Sequence, residues 1–280
     1  MAGSSEVYEN LSLTLDALGA TGLVLPLEIK SAIELSLPLK KMQAGVASLS
    51  LVGKITTSAG PDYLIAHGVS DAKAISGKVH EESRLFYSQD GATWSDLEPV
   101  TGDEDIARIS GISGWLSGTP ATTYTVEEPV PAPEPVEGEE AAEPPEPLTF
   151  EYTELQRLYL IAFSIIDEVF YVQPKGCTVV AADTTIRFVP SFSPLAYPDK
   201  LESYVHLKAV APGQKSSELV SLAEDVRGTW ALTFDSFTRV AVVRSLLWPG
   251  YAFYYSAATN TWGKMYSGPG YSNSDLVFML

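Results

Sequence analysis

The sequence predicts an α+β protein with a largely antiparallel β-sheet core, short N-terminal helices and two or three packing helices, plus a disordered acidic Pro/Glu-rich insertion. Three observations lead there. The C-terminal stretch from Thr229 to Leu280 is a series of short apolar and aromatic runs cut by Gly, Pro and Asn turns, the signature of successive strands. Apolar residues at helical spacing occur near the N-terminus and again after Thr153. Between them, Glu127 to Pro147 holds eight glutamates, seven prolines and no lysine or arginine. Such a segment has almost nothing to bury, so it is expected to stay disordered.

The elements follow in order. Leu11, Leu15 and Leu18 share a helical face that Gly19 and Gly22 end. Pro26 opens a second helix, with Ile29, Ile33 and Leu37 on one face, and Pro38 is expected to close it. Val46 to Thr57 reads as a strand with Gly53 at a bulge, and Asp62 to Gly68 as the next strand. Arg84–Ser88 and Ala92–Leu97 flank Gln89-Asp90-Gly91, a hairpin turn signal. Asp103 to Ile109 supplies one or two helical turns.

After the insertion, Thr153-x-x-Gln156 spells a capping box. Leu155, Leu158, Tyr159, Ala162, Ile165, Ile166 and Val169 fall on one helical stripe, with Leu160, Ile161 and Phe163 off it. A helix apolar on two sides is covered on two sides, which makes Leu160, Ile161 and Phe163 candidates for a partner contact. Val169–Gln173 and Thr178–Ala181 read as strands, Pro198–Leu207 as a short helix, and Pro212–Gly228 as a polar loop. Trp230, Leu232 and Phe234 alternate along a half-buried strand, and Val240–Leu247 suits a strand covered on both faces. Trp248-Pro249-Gly250 has the residues of a type II turn. Strands follow at Tyr251–Tyr255 and Trp262–Tyr266, and Leu276–Leu280 is expected to pack as a last strand.

Composition narrows the function classes. A chain of 280 residues can bury a large core without disulfide or metal staples. A formal net charge of −17 argues against nucleic acid and against an anionic membrane surface. The insertion carries eight of the 35 acidic residues, leaving about −9 (−17 plus 8) elsewhere. One cysteine, Cys177, fits a reducing compartment. No signal-peptide pattern opens the chain, and its longest apolar run, Leu158–Ile166, is far short of the ~20 residues of a membrane span.

Chemistry-bearing motifs are missing. His67, His80 and His206 are scattered without metal spacing, and a lone cysteine adds no zinc site. There is no nucleophile elbow and no phosphate loop, so no catalytic, metal or cofactor residue is assigned. His67 reads as a satisfied structural residue, His206 as a charge near a helix end, and Cys177 as a small buried thiol. Ser88-x-Asp90-Gly91-x-Thr93-Trp94 resembles a sialidase Asp box but lacks one residue between aspartate and glycine and occurs once. It reads more simply as a hairpin with a packed tryptophan. A β-rich cytosolic ligand- or sugar-binding domain or enzyme built on that hairpin is the alternative reading.

The C-terminal words Ser245-Leu-Leu-Trp248-Pro249-Gly250, Phe253-Tyr254, Tyr266-x-Gly268-x-Gly270, Asn273-x-Asp275-Leu276 and Phe278-Met279-Leu280 resemble the radial spoke head protein 4/6/9 family of motile cilia and flagella. Asp62-Tyr63-x-Ile65-Ala66-x-Gly68 and the Ile166-Asp167 to Gly176 region extend the resemblance into the rest of the chain. It implies one spoke-head-type domain over 1–280, made of a helical segment 1–45, a β-rich core over 46–126 and 148–280, and the insertion 127–147. It also implies a non-catalytic structural subunit of the axonemal spoke head that passes mechanical signals between the central pair and the dyneins. The implied partners are the protein 4 and 6 relatives, a MORN-repeat head subunit and the stalk scaffold protein, with transient contact to the central pair apparatus. No nucleic acid or membrane partner is expected, and no cofactor.

Overall fold

A computed structural model of the chain describes residues 11–19, 22, 24–75, 78–128, 147–180, 186–210 and 219–279. Its centre is one large mixed sheet of eleven strands, carried by alternating apolar side chains that feed two separate cores. The main path of the sheet runs β11–β10–β3–β2–β1–β15–β14–β13–β12, with β4 beside β3 and β7 beside β10. These strands are β1 (Ser48–Ile55), β2 (Tyr63–Ile75), β3 (Lys78–Ser88), β4 (Ser95–Leu97), β7 (Val172–Pro174), β10 (Tyr204–Val210), β11 (Leu219–Ser221), β12 (Trp230–Asp235), β13 (Val240–Ser245), β14 (Tyr251–Ser256) and β15 (Thr261–Gly268). All of these pairs are antiparallel except β1 with β15, where Gly53 lies beside Tyr266 in parallel. The fold is therefore α+β, as the sequence predicts.

Period two divides the strands between the cores. On β14, Tyr251, Phe253 and Tyr255 enter one core while Ala252 and Tyr254 enter the other; Val52 and Leu51 of β1 split in the same way. Helices α1 (Leu11–Gly19) and α2 (Leu27–Ala44) cover one face with Leu15, Leu18, Ile33 and Leu37. Helix α4 (Glu154–Ile165) covers the other with Leu158, Ala162 and Ile165. Helix α3 (Asp103–Ser110) and the hairpin β5 (Thr123–Glu128) with β6 (Leu148–Thr153) adjoin α4. Strands β8 (Thr178–Val180) and β9 (Ile186–Phe188) form a separate pair.

Several expectations hold in detail. Gly53 sits at a register shift in the β1–β2 ladder. Thr153 caps α4 with the reciprocal Gln156 bonds of a capping box. Gly250 has φ +107°, and the Tyr251 N–H returns to the Trp248 carbonyl at 3.0 Å. Cys177 is buried. His67 is buried, and its Nδ1 lies 2.9 Å from the Tyr171 hydroxyl.

Others are corrected. Pro38 does not end α2, which runs on to a left-handed cap at Gly45. Pro38 faces solvent, where water can satisfy the carbonyl it frees, and the helix is pinned near it. The Ser36 hydroxyl donates to the Gly91 carbonyl at 2.6 Å and accepts from Trp94 Nε1 at 2.7 Å. After α4 the chain continues as a π-turn over Ile166–Phe170 rather than entering a strand at once. The segment 198–207 is one 3-10 turn, Leu201–Ser203, followed by β10. His206 thus lies on a strand, with Nε2 2.7 Å from Asp225 Oδ2, and not at a helix end. The loop 212–228 contains β11 and a 3-10 turn at Leu222–Glu224.

The C-terminal run is a 3-10 turn, Ser274–Phe278, and not a strand. Both edges of β15 are already taken by β1 and β14, so a last strand has no ladder to join there. Leu276 is buried, whereas Phe278 is 88% and Met279 69% exposed. Glu127 and Glu128 belong to β5, paired with Thr149 and Leu148. The remainder of the acidic insertion, 129–146, lies outside the described residues, as does Leu280.

Candidate functional site

The motif residues converge where the β13–β14 turn, the end of β15 and α4 meet. Trp248 is buried; its Nε1 donates to Glu168 Oε2 at 2.6 Å and its ring stands edge-on to Tyr266 at 6.5 Å. A Cβ on Gly250 would collide with the Ser267 carbonyl, and one on Gly268 would lie 2.6 Å from the Pro249 carbonyl. The two strand ends therefore pack backbone to backbone, which only glycine permits. The Gly270 N–H donates to the Tyr266 hydroxyl at 2.8 Å, and the Asn273 N–H to the Leu247 carbonyl at 2.6 Å. A Cβ on Gly270 would sit 2.6 Å from Ile161 Cγ2. Trp248, Pro249, Gly250, Tyr266, Gly268, Gly270 and Asn273 thus form one knot that ties the C-terminal loop to α4.

The remaining sequence candidates are elsewhere. Phe253 is fully buried against Tyr204, with ring centroids 5.7 Å apart. Tyr254 is buried on the opposite face, beside Gly263 and close to Thr14 of α1. Asp275 and Phe278 are exposed. On α4, Ile161 is half-buried under the Gly270 loop and Leu160 is half-buried. Phe163 is 45% exposed and stacks on Tyr159 at 6.1 Å. Of these three, Phe163 offers the most surface.

A second junction was not anticipated from the sequence. Glu154, the first residue of α4, is fully buried, and its two oxygens take five hydrogen bonds. The donors are the Tyr63 and Tyr124 hydroxyls at 2.7 and 2.8 Å, the Ser117 N–H and hydroxyl at 2.8 and 2.6 Å, and the Gly118 N–H at 2.8 Å. Burial pushes the carboxyl pKa up, but the bonds from Ser117, Tyr63 and Tyr124 outweigh it and hold it below the usual glutamate value. Burial, and after it the same contact, push the Tyr63 hydroxyl up. A glutamate just after a helix N-cap is also favoured by the helix dipole; that position was the one available signal. Beside it, buried Arg157 donates to the Gly114 carbonyl and stands 5.2 Å from the Tyr124 ring centre.

The Glu154 carboxylate is taken up by the fold itself. Both Glu154 oxygens are saturated by protein donors, which leaves no acceptor for a substrate proton. A cleft of about 770 Å³ between α3 and β5 is lined by Glu104, Arg108 and Glu128, but these charges engage one another, with Arg108 Nε donating to Glu128 Oε1 at 2.7 Å. The 88–94 hairpin is likewise occupied with its own structure. Asp90 Oδ1 accepts from the Ala92 and Thr93 N–H groups at 2.9 Å, and Gly91 packs on Ile33 of α2. Among the described residues no group of three or more His, Cys, Asp or Glu could hold a metal ion, and no helix is long and apolar enough to cross a membrane.

No known family's sequence model matches the chain. Individual curated proteins do. The chain is 32% identical to "Radial spoke head protein 9 homolog" of Xenopus tropicalis over 97% of its own length and 99% of the relative's. It is 30% identical to the protein of the same name from Danio rerio and 29% to that from Mus musculus, with the same coverage.

Proposed function

The chain belongs to the radial spoke head protein 9 family, and from that premise we propose that it is a non-catalytic structural subunit of the spoke head in the ciliary or flagellar axoneme. The observation that carries the reading is the end-to-end match: 97% of this chain against 99% of a spoke head protein 9 homologue.

In this reading the subunit is needed for the head to assemble and for the head to pass mechanical signals between the central pair and the dyneins. Its neighbours are the spoke head protein 4 and 6 relatives, a MORN-repeat head subunit and the stalk scaffold protein, and its contact with the central pair is transient. Residues 1–280 act as one domain. The motif knot holds the C-terminal loop against α4, so that Phe163, Phe278 and Met279 are presented from a fixed frame; exposed aromatic and methionine side chains are the types enriched at protein interfaces. The acidic excess, −17 over the chain, suits a surface that meets its opposite number briefly, because like charge repels at close approach and is screened beyond ~8 Å at physiological salt.

An affinity-tagged copy expressed at the native level tests the reading. The expected result is tag signal along motile axonemes and co-purification of spoke head and stalk proteins from salt-extracted axonemes. A tagged protein that stays in the soluble cell body and recovers none of them overturns it.

A further inference from the structure

Among the described residues, the longer of the two end strands of the sheet's main path is β12, and its outer edge pairs with no other strand. The Leu246 N–H donates to the Thr229 carbonyl at 2.8 Å, and the ladder runs without a bulge from Trp230↔Ser245 to Asp235↔Val240. Inward and outward groups alternate along an antiparallel ladder. Ala231, Thr233 and Asp235 therefore turn their N–H and C=O groups toward β13, and Trp230, Leu232 and Phe234 turn theirs away. Among the described residues only β13 pairs with β12. Trp230 is only 7% exposed, so the usable edge is Leu232 and Phe234, both half-buried, with the exposed Thr233 between them. At the other end of the sheet path, β11 has three residues, against six in β12. No lysine, proline or bulge blunts β12, the usual devices that stop an edge from pairing.

We propose that this edge is an interaction surface for a second copy of the chain, the two β12 strands pairing antiparallel about a two-fold axis at Thr233. That register sets the outward groups of Leu232 in one copy against those of Phe234 in the other, and the reverse, so the hydrogen-bonding senses match. On the core side Leu232 meets Phe234, an apolar cross-strand contact made twice; on the other side Thr233 meets Thr233. The ends are complementary as well. Val226, 63% exposed, precedes the strand and Phe237, 94% exposed, follows it. Antiparallel pairing brings the Phe237 end of each copy beside the Val226 end of the other. Each end also carries an exposed acid and an exposed arginine, Glu224 with Arg227 and Asp235 with Arg239, so no patch of one sign meets itself. This reciprocity is what a self-complementary two-fold interface requires, and it is what selects a second copy over an unrelated strand. The inference rests on the edge alone and does not need the spoke head assignment.

Two copies of net charge −17 repel over distance, so the association strengthens as salt rises. The register is tested with Thr233→Cys in the full chain. Residues facing each other across the axis, outside the hydrogen-bonded pairs, have Cα atoms about 4.5 Å apart, inside the disulfide range of about 4.4–6.8 Å. The one native cysteine is buried. Mild oxidation of Thr233→Cys should give a covalent dimer. Ala231→Cys, which faces Asp235 of the other copy, should not. Sedimentation should show a wild-type dimer fraction that grows with salt and is lost in Thr233→Lys. Thr233 is exposed, and a melting curve checks that each variant is folded. Wild type that sediments as a monomer at every salt concentration, with Thr233→Cys uncross-linked, overturns the proposal; so does a dimer that Thr233→Lys leaves intact. An edge that accepts only a foreign strand gives the first of these results.

Discussion

The Tyr63 hydroxyl donates to Glu154 Oε1 at 2.7 Å, joining residues 91 apart in sequence. This bond fastens the start of α4 to β2, while Tyr124 and Ser117 bring β5 and the 117–118 turn onto the same carboxylate. Removing the carboxylate strands several buried donors at once, each costing about 1–3 kcal/mol. Glu154→Ala should therefore lower stability by on the order of 3 kcal/mol or more. Tyr63→Phe, which removes one hydrogen bond to a charged group, should cost about 1.5–3 kcal/mol. Chemical denaturation of the two variants checks the order; equal stability in Glu154→Ala and wild type would show that the junction is dispensable.

The same carboxylate sets a pH dependence. Its folded pKa lies below the unfolded value, so the protein is stabilised by it at pH above the ordinary glutamate value of about 4.3. That contribution is lost as pH falls further, through the folded pKa. Thermal melts between pH 7 and pH 3 should show part of the acid destabilisation missing in Glu154→Gln. Parallel wild-type and variant curves across that range would assign the acid sensitivity to other groups.

Gly270 has φ +82° and no room for a Cβ beside Ile161. Gly270→Ala should cost about 1–3 kcal/mol from backbone strain and more from the clash. In an Ile161→Ala background the clash is relieved and the strain remains, so the cost should shrink without vanishing. A double-mutant cycle measures the difference; identical costs in both backgrounds would mean that the loop does not press on α4.

How far the sequence reveals this frame depends on the range of the interactions. The capping box at Thr153, the turn at Trp248-Pro249-Gly250 and the alternation on β12 are local patterns, and local patterns can be read directly. Pro38 could not be read, because the bonds that pin α2 on either side of it, at Ser36 and Lys40, are to Gly91 and Trp94, more than fifty residues away. The C-terminal turn could not be read because apolar content does not disclose that β15 has no free edge. For Glu154 only its place after the N-cap was legible, for the same reason: its five donors come from four residues distant in sequence. The family motif identified the knot residues without showing that glycine is needed at 250, 268 and 270 to bring two strand ends and α4 together.

The exposed end of the chain separates packing from contact. Leu276 is buried, and Leu276→Ala should cost about 2–3 kcal/mol, near the low end for buried leucines. Deleting 278–280 removes exposed Phe278 and Met279 and should leave the melting temperature nearly unchanged while reducing incorporation into spoke heads. A large loss of stability from the deletion would place those side chains in the fold rather than at a partner.

Strands β5 and β6 are paired up to Glu128↔Leu148, and a short hairpin loop suffices to join such ends. Replacing 129–146 with a short Gly-Ser link should therefore change thermal stability little, since loop closure depends weakly on length. A marked drop in melting temperature would show that the acidic stretch contributes to the core.

The central claim is that this chain is a structural part of the spoke head. Cryo-electron tomography of axonemes from cells lacking the protein tests it most directly. The account expects spoke stalks whose heads are missing or incomplete, with head density and beating restored by the wild-type chain. Complete spoke heads in the absence of the protein would contradict it.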